Sequence, residues 1–351
     1  MDVFVLKESQ PRSSKVNNRK KGGKKVVSSS NVLSFILGGA LVFYLTNLIT
    51  IRELLSNKSA LELGESERLP TQQNKEGRKR KLGDGCYHVF LDVGANIGVH
   101  TRFLYEPQLY PDAETARSLF DAEFGRDRNN LDFCSFGFEP NPNHVMRHKM
   151  MERAYKNVGW RYIFVQAAVA GEGGNITFYH NNDESLQEWG FSDHDRADVA
   201  RRAGNHGFKP GIKESVPAVR LSEWLTNEIL DRDIPTTIHG NYTSGPKVVM
   251  KMDIESLEFK VLPDIWFTGV LCNTIDYIFG ELHDHPIDYE QDKITGKGDL
   301  HLGRGESYKF LSTVMKCFNS FKGCKTRIEE LDDESYLDDG MPFPNATDKG
   351  R

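Results

Sequence analysis

Three carboxylates stand where an apolar run of this chain breaks into a turn. Asp92 closes FLD and is followed by V-G-A-N-I-G, Glu139 closes SFGFE and is followed by P-N-P, and Asp253 closes VVMKMD with Glu255 two positions on. Each reads as a buried strand, an acid at its carboxyl end and a turn into a helix. An acid so placed faces the crevice above a sheet, where it can accept hydrogen bonds from ligand hydroxyls or take a proton from a reacting one. Gly94 and Gly98 bracket Ala95-Asn96-Ile97, and glycines in such a turn let a ligand lie against the main chain. A fourth group follows TIDYIF: in GELHDHP, Glu281 can orient an acceptor and His283 supplies an imidazole that titrates near neutral pH.

The elements that must hold these groups are legible as an alternation. Strand patterns fall at 88–92, 134–139, 162–170, 175–179, 247–253 and 274–279, with a last edge strand near 326–331. Helical patterns fall at 99–105, 142–156, 221–230, 255–262 and 307–318. Strands alternating with helices predict βαβ units: a mostly parallel, doubly wound sheet of Rossmann-like α/β class, whose ligands bind at the carboxyl ends of the strands. Residues 106–132 read as a surface insertion after the first helix.

The glycine turn lacks the middle glycine of a dinucleotide fingerprint, since Asn96 stands there. An acid on the strand followed by G-x-x-x-G suits S-adenosylmethionine instead, with its amino-acid end over the turn. A strand-end acid such as Glu139 can accept both ribose hydroxyls of an adenosine. In order, LDVGANIG, FGFEPNP, QAAVAGEGGNITFY, VPAVRLSEWL and KMDIESLEFKVL resemble the FkbM-type methyltransferases. The resemblance spans about residues 86–285. It implies a Rossmann-like class I methyltransferase fold that uses S-adenosylmethionine to methylate hydroxyls, several of them on sugars. It further implies that Asp92, Gly94, Ala95, Asn96 and Gly98 cradle the methionine part and that Glu139, with Asn141 nearby, binds the ribose. Gln166 and Ala167 would border the adenine, and Asp253 and Glu255 would face the methyl group and acceptor. Asp253 is the first candidate base and His283 the second. Ser256 departs from the glycine usual after that glutamate, and residues 180–215 are longer than expected.

Composition places this domain behind a membrane anchor. Residues 1–81 carry 16 Lys/Arg against 7 Asp/Glu, whereas the rest carries 29 against 43. An acidic globular part argues against a nucleic-acid partner. Residues 32–51 (VLSFILGGALVFYLTNLITI) are uncharged and strongly apolar, long enough at about 1.5 Å rise per residue to span a bilayer core. Eight Lys/Arg in residues 1–30 against two acids leave the N-terminus cytosolic by the positive-inside rule. The expectation is a single-pass type II protein with a basic tail (1–31), an anchor (32–51), a stem (52–83), a luminal domain (84–337) and a flexible tail (338–351). The short anchor points to the Golgi. A cleaved signal peptide fits less well, because the apolar run starts late and has no small-residue exit. The basic run 78–81 could be a site for shedding the domain. All four N-x-S/T sequons (Asn57, Asn175, Asn241, Asn345) lie beyond the anchor.

Five cysteines in an oxidising compartment leave at least one unpaired within the chain. Cys317 and Cys324 could close a small loop, and Cys134 and Cys272, beside apolar runs, read as buried thiols. No C-x-x-C spacing signals a metal, and the chemistry read here needs none. The acceptor expected from compartment and resemblance is a glycan or other hydroxyl-bearing molecule, and oligomeric state is left open. Two other readings stand beside this one. A glycosyltransferase would hold a metal on a D-x-D pair, and Asp193/Asp195 and Asp231/Asp233 match the letters. A non-catalytic anchored module would keep the fold without the chemistry.

Overall fold

The computed structural model describes residues 78–180, 191–193, 195, 209–255, 257–281, 283, 287–289, 300–302, 313, 320, 323–331 and 339–345. By contacts the chain divides into Met1–Pro70 and Thr71–Arg351, and every described residue belongs to the second unit. The expected anchor, the stem up to residue 77, Asn57, Ser256, Cys317 and nearly all of the helix expected at 307–318 lie outside the described residues. Among the described residues no helix is long and apolar enough to cross a membrane.

Eleven strands are defined among the described residues: β1 His88–Val93, β2 Phe133–Phe138, β3 Arg161–Val165, β4 Ala168–Ala170, β5 Gly174–His180, β6 Ile212–Arg220, β7 Val248–Met252, β8 Tyr277–Gly280, β9 Ile287–Tyr289, β10 Leu300–Leu302 and β11 Arg327–Glu330. The α-helices defined among the described residues are α1 Val99–Tyr105, α2 Glu114–Phe124, α3 Val145–Val158, α4 Leu221–Glu228, α5 Glu258–Phe267 and α6 Val270–Thr274. Six strands form one sheet in the order β11-β8-β7-β1-β2-β3, and all its pairings are parallel. The chain leaves β1 toward β3 and later returns to β7 on the other side of β1. The topological switch point therefore lies at the carboxyl ends of β1 and β7, where ligands bind in such sheets. This bears out the expected Rossmann-like α/β class.

Central strands buried on both faces are apolar throughout, and alternate residues serve opposite cores. Val89, Leu91 and Val93 pack with Phe136, Met250 and the helices α4 to α6. Phe90 joins Val249, Phe279 and residues of α1 to α3 on the other face. A smaller sheet, β4-β6-β5, extends the first core.

Several expectations are corrected. The strand predicted over 162–170 is two strands in different sheets. The stretch 106–132 is no surface insertion, because α2 buries Phe120 and Phe124, with Phe120 edge-on to Phe90 at 5.1 Å and Phe279 at 6.0 Å. Cys134 is not a free thiol but is bonded to Cys86, and Cys272 and Cys324 pair with each other. Parallel pairing of β1 with β2 sets Val89 beside Cys134 and so draws distant cysteines together. The end of the stem is folded onto the domain: Arg78 pairs with Asp84 and Asp233, and Lys81 Nζ donates to Thr226 O and Leu230 O. That packing disfavours the shedding site. Nor are residues 339–345 a loose tail, since the fully buried Asp339 side chain pairs with Arg102 and Arg147.

Candidate active site

Three residues in the left-handed region, Gly94, Asn96 and Gly98, build the turn after β1. Gly94 has φ +77°, and a Cβ there would lie 1.7 Å from Asp253 O, so only glycine lets the loops after β1 and β7 meet. Gly98 has φ +80° and leaves a Cβ only 2.7 Å from Met151 Cε. Asn96 lies between them with φ 47°. Its N–H donates to Glu139 Oε2 at 2.8 Å, while Asn141 N–H donates to Glu139 Oε1 at 2.7 Å. Glu139 thus clamps the turn after β1 to the turn after β2. Burial pushes its carboxyl up to about 7, although the two amide donors pull the other way.

His148 on α3 fixes the same turn from behind. Burial pushes this imidazole down to about 3, so it is neutral and carries one N–H. Nε2–H donates to Asn96 O at 2.6 Å and Nδ1 accepts from Tyr162 Oη at 2.7 Å, which assigns the tautomer. Arg147 Nε donates to Ile97 O at 2.7 Å. Asp92 is wholly buried under the turn. Its Oδ2 accepts from Thr101 N and Oγ1 at 3.2 and 2.9 Å, which tethers the first turn of α1, and its Oδ1 is buried without a partner. Burial raises the Asp92 carboxyl to about 6 against the pull of Lys251.

Across the cleft stands an acidic end. Lys251, paired in register with Asp92, is buried and donates through Nζ to Gly94 O at 2.7 Å and Asp253 Oδ2 at 2.8 Å. Glu255 adopts φ 54°. His283, beyond β8, has its Nε2 3.7 Å from Asp253 Oδ1, 3.7 Å from Glu255 Oε2 and 3.6 Å from Glu281 Oε2. Its Nδ1 lies 3.3 Å from Glu258 Oε1. Burial alone would lower this imidazole, but the carboxylates of Glu258, Glu255 and Asp253 outweigh it and push it up to about 10. The expectation of a His283 base titrating near neutrality is therefore corrected: it holds its proton there and donates.

The cleft between the two ends encloses about 700 Å³ of space, part of it open to solvent. Gly94, Asn96, Glu139, Asn141, Asp253, Glu255, Glu281 and His283 line it. Its apolar wall is Phe138, Ala168, Val169, Phe178 and Phe191. Asp92, Ala95 and Gly98 lie behind the turn and shape it without lining the cleft. Gln166 is exposed and Ala167 buried, and neither lines it; the next two residues do. The reading of residues missed Lys251, Glu258 and His148. Lys251 could have been found as the one charge in an apolar strand pattern, and Glu258 as a carboxylate four positions after Ile254, whose N–H it accepts at 2.7 Å. Among the described residues, neither D-x-D pair belongs to a group of side chains that could hold a metal. Asp193 accepts from Lys260 Nζ, Asp195 from Gly211 N, and Asp233 pairs with Arg78.

A parallel sheet with a glycine turn and strand-end acids beside its switch point is the arrangement in which Rossmann-like sheets bind their ligands. The chain belongs to the FkbM methyltransferases, whose domain model (Methyltransferase FkbM domain) matches residues 92–316, more than half of the chain. No curated protein and no solved structure matches it.

Proposed function

We propose that this protein is an S-adenosylmethionine-dependent O-methyltransferase that acts on a hydroxyl of a glycan in the lumen of the secretory pathway. The observation that carries the reading is the clamp of Glu139 on Asn96 and Asn141, set across one cleft from Asp253. The residues fit this cofactor. Glu139 keeps a lone pair on each oxygen for a pair of ribose hydroxyls, and Asn96, a lining residue, has a buried Oδ1 with no hydrogen-bond partner, an acceptor left for a ligand donor. The wall of Phe138, Phe178 and Phe191 suits a flat base. Excess acid in the cleft suits a cationic ligand.

When bound, S-adenosylmethionine supplies an electrophilic methyl group on a sulfonium. Gly94, Asn96 and Glu139 hold and orient it, which is where most of the rate enhancement of such a transfer resides. Asp253, its Oδ2 fixed by Lys251, turns Oδ1 toward the acceptor end and takes the hydroxyl proton as it is released. His283 and Glu281 orient the acceptor by donating to and accepting from its oxygens. Such a cluster of hydroxyl-binding groups supports a polyhydroxylated acceptor.

Compartment and topology belong to the same proposal. Two disulfides support an oxidising lumen, and Asn175, Asn241 and Asn345 are exposed, as glycosylated sequons must be. Residues 32–51 would anchor the chain in a Golgi membrane. Calorimetry on residues 71–351 tests the chemistry: S-adenosylmethionine and S-adenosylhomocysteine should both release heat. Silence with both, alongside binding of a nucleotide sugar with manganese, would overturn it in favour of a glycosyltransferase. For topology, a tag at residue 351 should resist protease added outside sealed Golgi vesicles; its digestion would reverse the orientation.

A further inference from the structure

The acidic end of the cleft holds more negative charge than the proposed proton transfer requires. Four carboxylates, from Asp253, Glu255, Glu258 and Glu281, stand within 3.3–3.7 Å of the two nitrogens of His283. Three of these groups come from separate elements: Asp253 from the end of β7, Glu258 from the first position of α5 and His283 from beyond β8. One ligand atom from each of Asp253, Glu258 and His283 lies within 4.8 Å of the other two. Ligand atoms held about 2.1 Å from a common ion are separated by roughly 3–4 Å, so small side-chain rotations bring the three to coordination distance.

An independent sign comes from Glu258. Its side chain is fully buried, yet only one oxygen is engaged. Oε1 accepts from Ile254 N at 2.7 Å and faces His283 Nδ1, whereas Oε2 is buried with no hydrogen-bond partner. A carboxylate oxygen withdrawn from water and left without a donor calls for a cation.

We propose that Asp253, Glu258 and His283 bind one divalent cation of the Mn2+ class, with Glu255 and Glu281 as the flanking acids. Two hard carboxylates and one imidazole suit Mn2+ better than a thiolate-seeking ion. The strand and helix ends that carry Asp253 and Glu258 give two of the three ligands a rigid frame. Lys251 occupies Oδ2 of Asp253 and leaves Oδ1 to the ion. Binding displaces the proton that His283 holds in the metal-free chain, and the ion then takes over from Oδ1 the task of making the acceptor hydroxyl acidic. Ligands drawn from three elements also explain why no short metal motif occurs in the sequence. The cation site stands on its own geometry. Only its consequence, that the ion is placed to hold the acceptor oxygen beside the methyl group, rests on the methyltransferase reading.

The test uses the full chain in detergent, stripped with a chelator, and Mn2+ alone as the probe, followed by electron paramagnetic resonance and calorimetry. One Mn2+ per chain is expected. Glu258→Gln keeps an acceptor for Ile254 N and should weaken Mn2+ binding by about ten- to a hundredfold, and His283→Ala should do the same. Glu214→Gln, which removes a carboxylate from the His180–Glu214 pair elsewhere on the domain, should leave it unchanged. Thermal unfolding without metal checks each variant, and if Glu258→Gln fails to fold, His283→Ala carries the test. Absence of bound Mn2+ in the native chain, or binding that a folded variant of Glu258 or His283 retains in full, overturns the proposal. S-adenosylmethionine binding is titrated without metal in the same samples. If it persists while Mn2+ does not bind, the cation site alone falls.

Discussion

At the Glu139 end of the cleft each carboxylate oxygen meets a backbone N–H, whereas at the His283 end four carboxylates crowd around one imidazole. The first arrangement is a finished piece of architecture: the acid fastens two turns together and still offers lone pairs outward. The second is unbalanced and is completed by whatever enters. Such a division suits a methyltransferase, in which one end always holds the same cofactor and the other must meet a substrate. It also predicts which measurements each end should move.

Gly94 joins the two ends, so its replacement should erase the contrast. With φ +77° and Asp253 O only 1.7 Å from the added Cβ, Gly94→Ala should force β1 and β7 loops apart. We expect a loss of about 3 kcal/mol or more of stability in urea unfolding, with cofactor binding lost as well. A folded Gly94→Ala protein that binds S-adenosylmethionine normally would mean the two loops are not mechanically linked.

Asp253→Asn separates the ends. Asparagine keeps an oxygen for Lys251 but cannot take a proton, so single-turnover rates should drop about 100- to 10,000-fold while cofactor affinity stays close to native. Full rate in this variant would remove Asp253 from the role of base. Glu139→Ala should do the reverse. The loss of a hydrogen-bonding carboxylate should weaken cofactor binding by about 1–3 kcal/mol, read by calorimetry, with a smaller change in the rate at saturating cofactor.

The two ends were not equally legible before the fold was known. Asp92, Gly94 and Glu139 follow strand patterns that are local in sequence; Gly94 and Glu139 line the cleft where the pattern sets them, whereas Asp92 is buried beneath the turn and does not face it. The acidic end draws on β7, α5 and the segment after β8, and only the parallel order β8-β7-β1 brings these together. Asp253 and His283 could each be singled out, but their convergence with Glu258 could not. The same holds for the disulfides, whose partners meet only because β1 lies beside β2. Residues 106–132 teach the opposite lesson. Ala116, Leu119, Phe120 and Phe124 are all buried and recur at helical spacing, so the sequence carries the signal of a core helix where a surface insertion is expected. Polar residues around it masked a layer of the core.

The smallest effect expected is a pH dependence confined to the Glu139 end. Burial raises this carboxyl from 4.5 to about 7. In the folded state it is therefore protonated over a range in which the unfolded chain is already ionised. The stability this contributes is fully present below about 4.5 and is lost as pH rises through about 7. Ribose hydroxyls donate to the ionised form, so cofactor binding should run the other way. Affinity should climb about tenfold between pH 6 and 8 as Glu139 loses its proton, then level off. Below pH 7, binding should release a proton, seen as a dependence of the calorimetric heat on the ionisation enthalpy of the buffer. Glu139→Gln should bind more weakly and show a flat profile above about pH 7, where Asp92, raised to about 6, is already ionised. In the metal-free chain His283, raised to about 10, keeps its proton over this range and adds no slope, so a steep profile above pH 7 surviving in Glu139→Gln would place the titrating group elsewhere and dissolve the division between the ends.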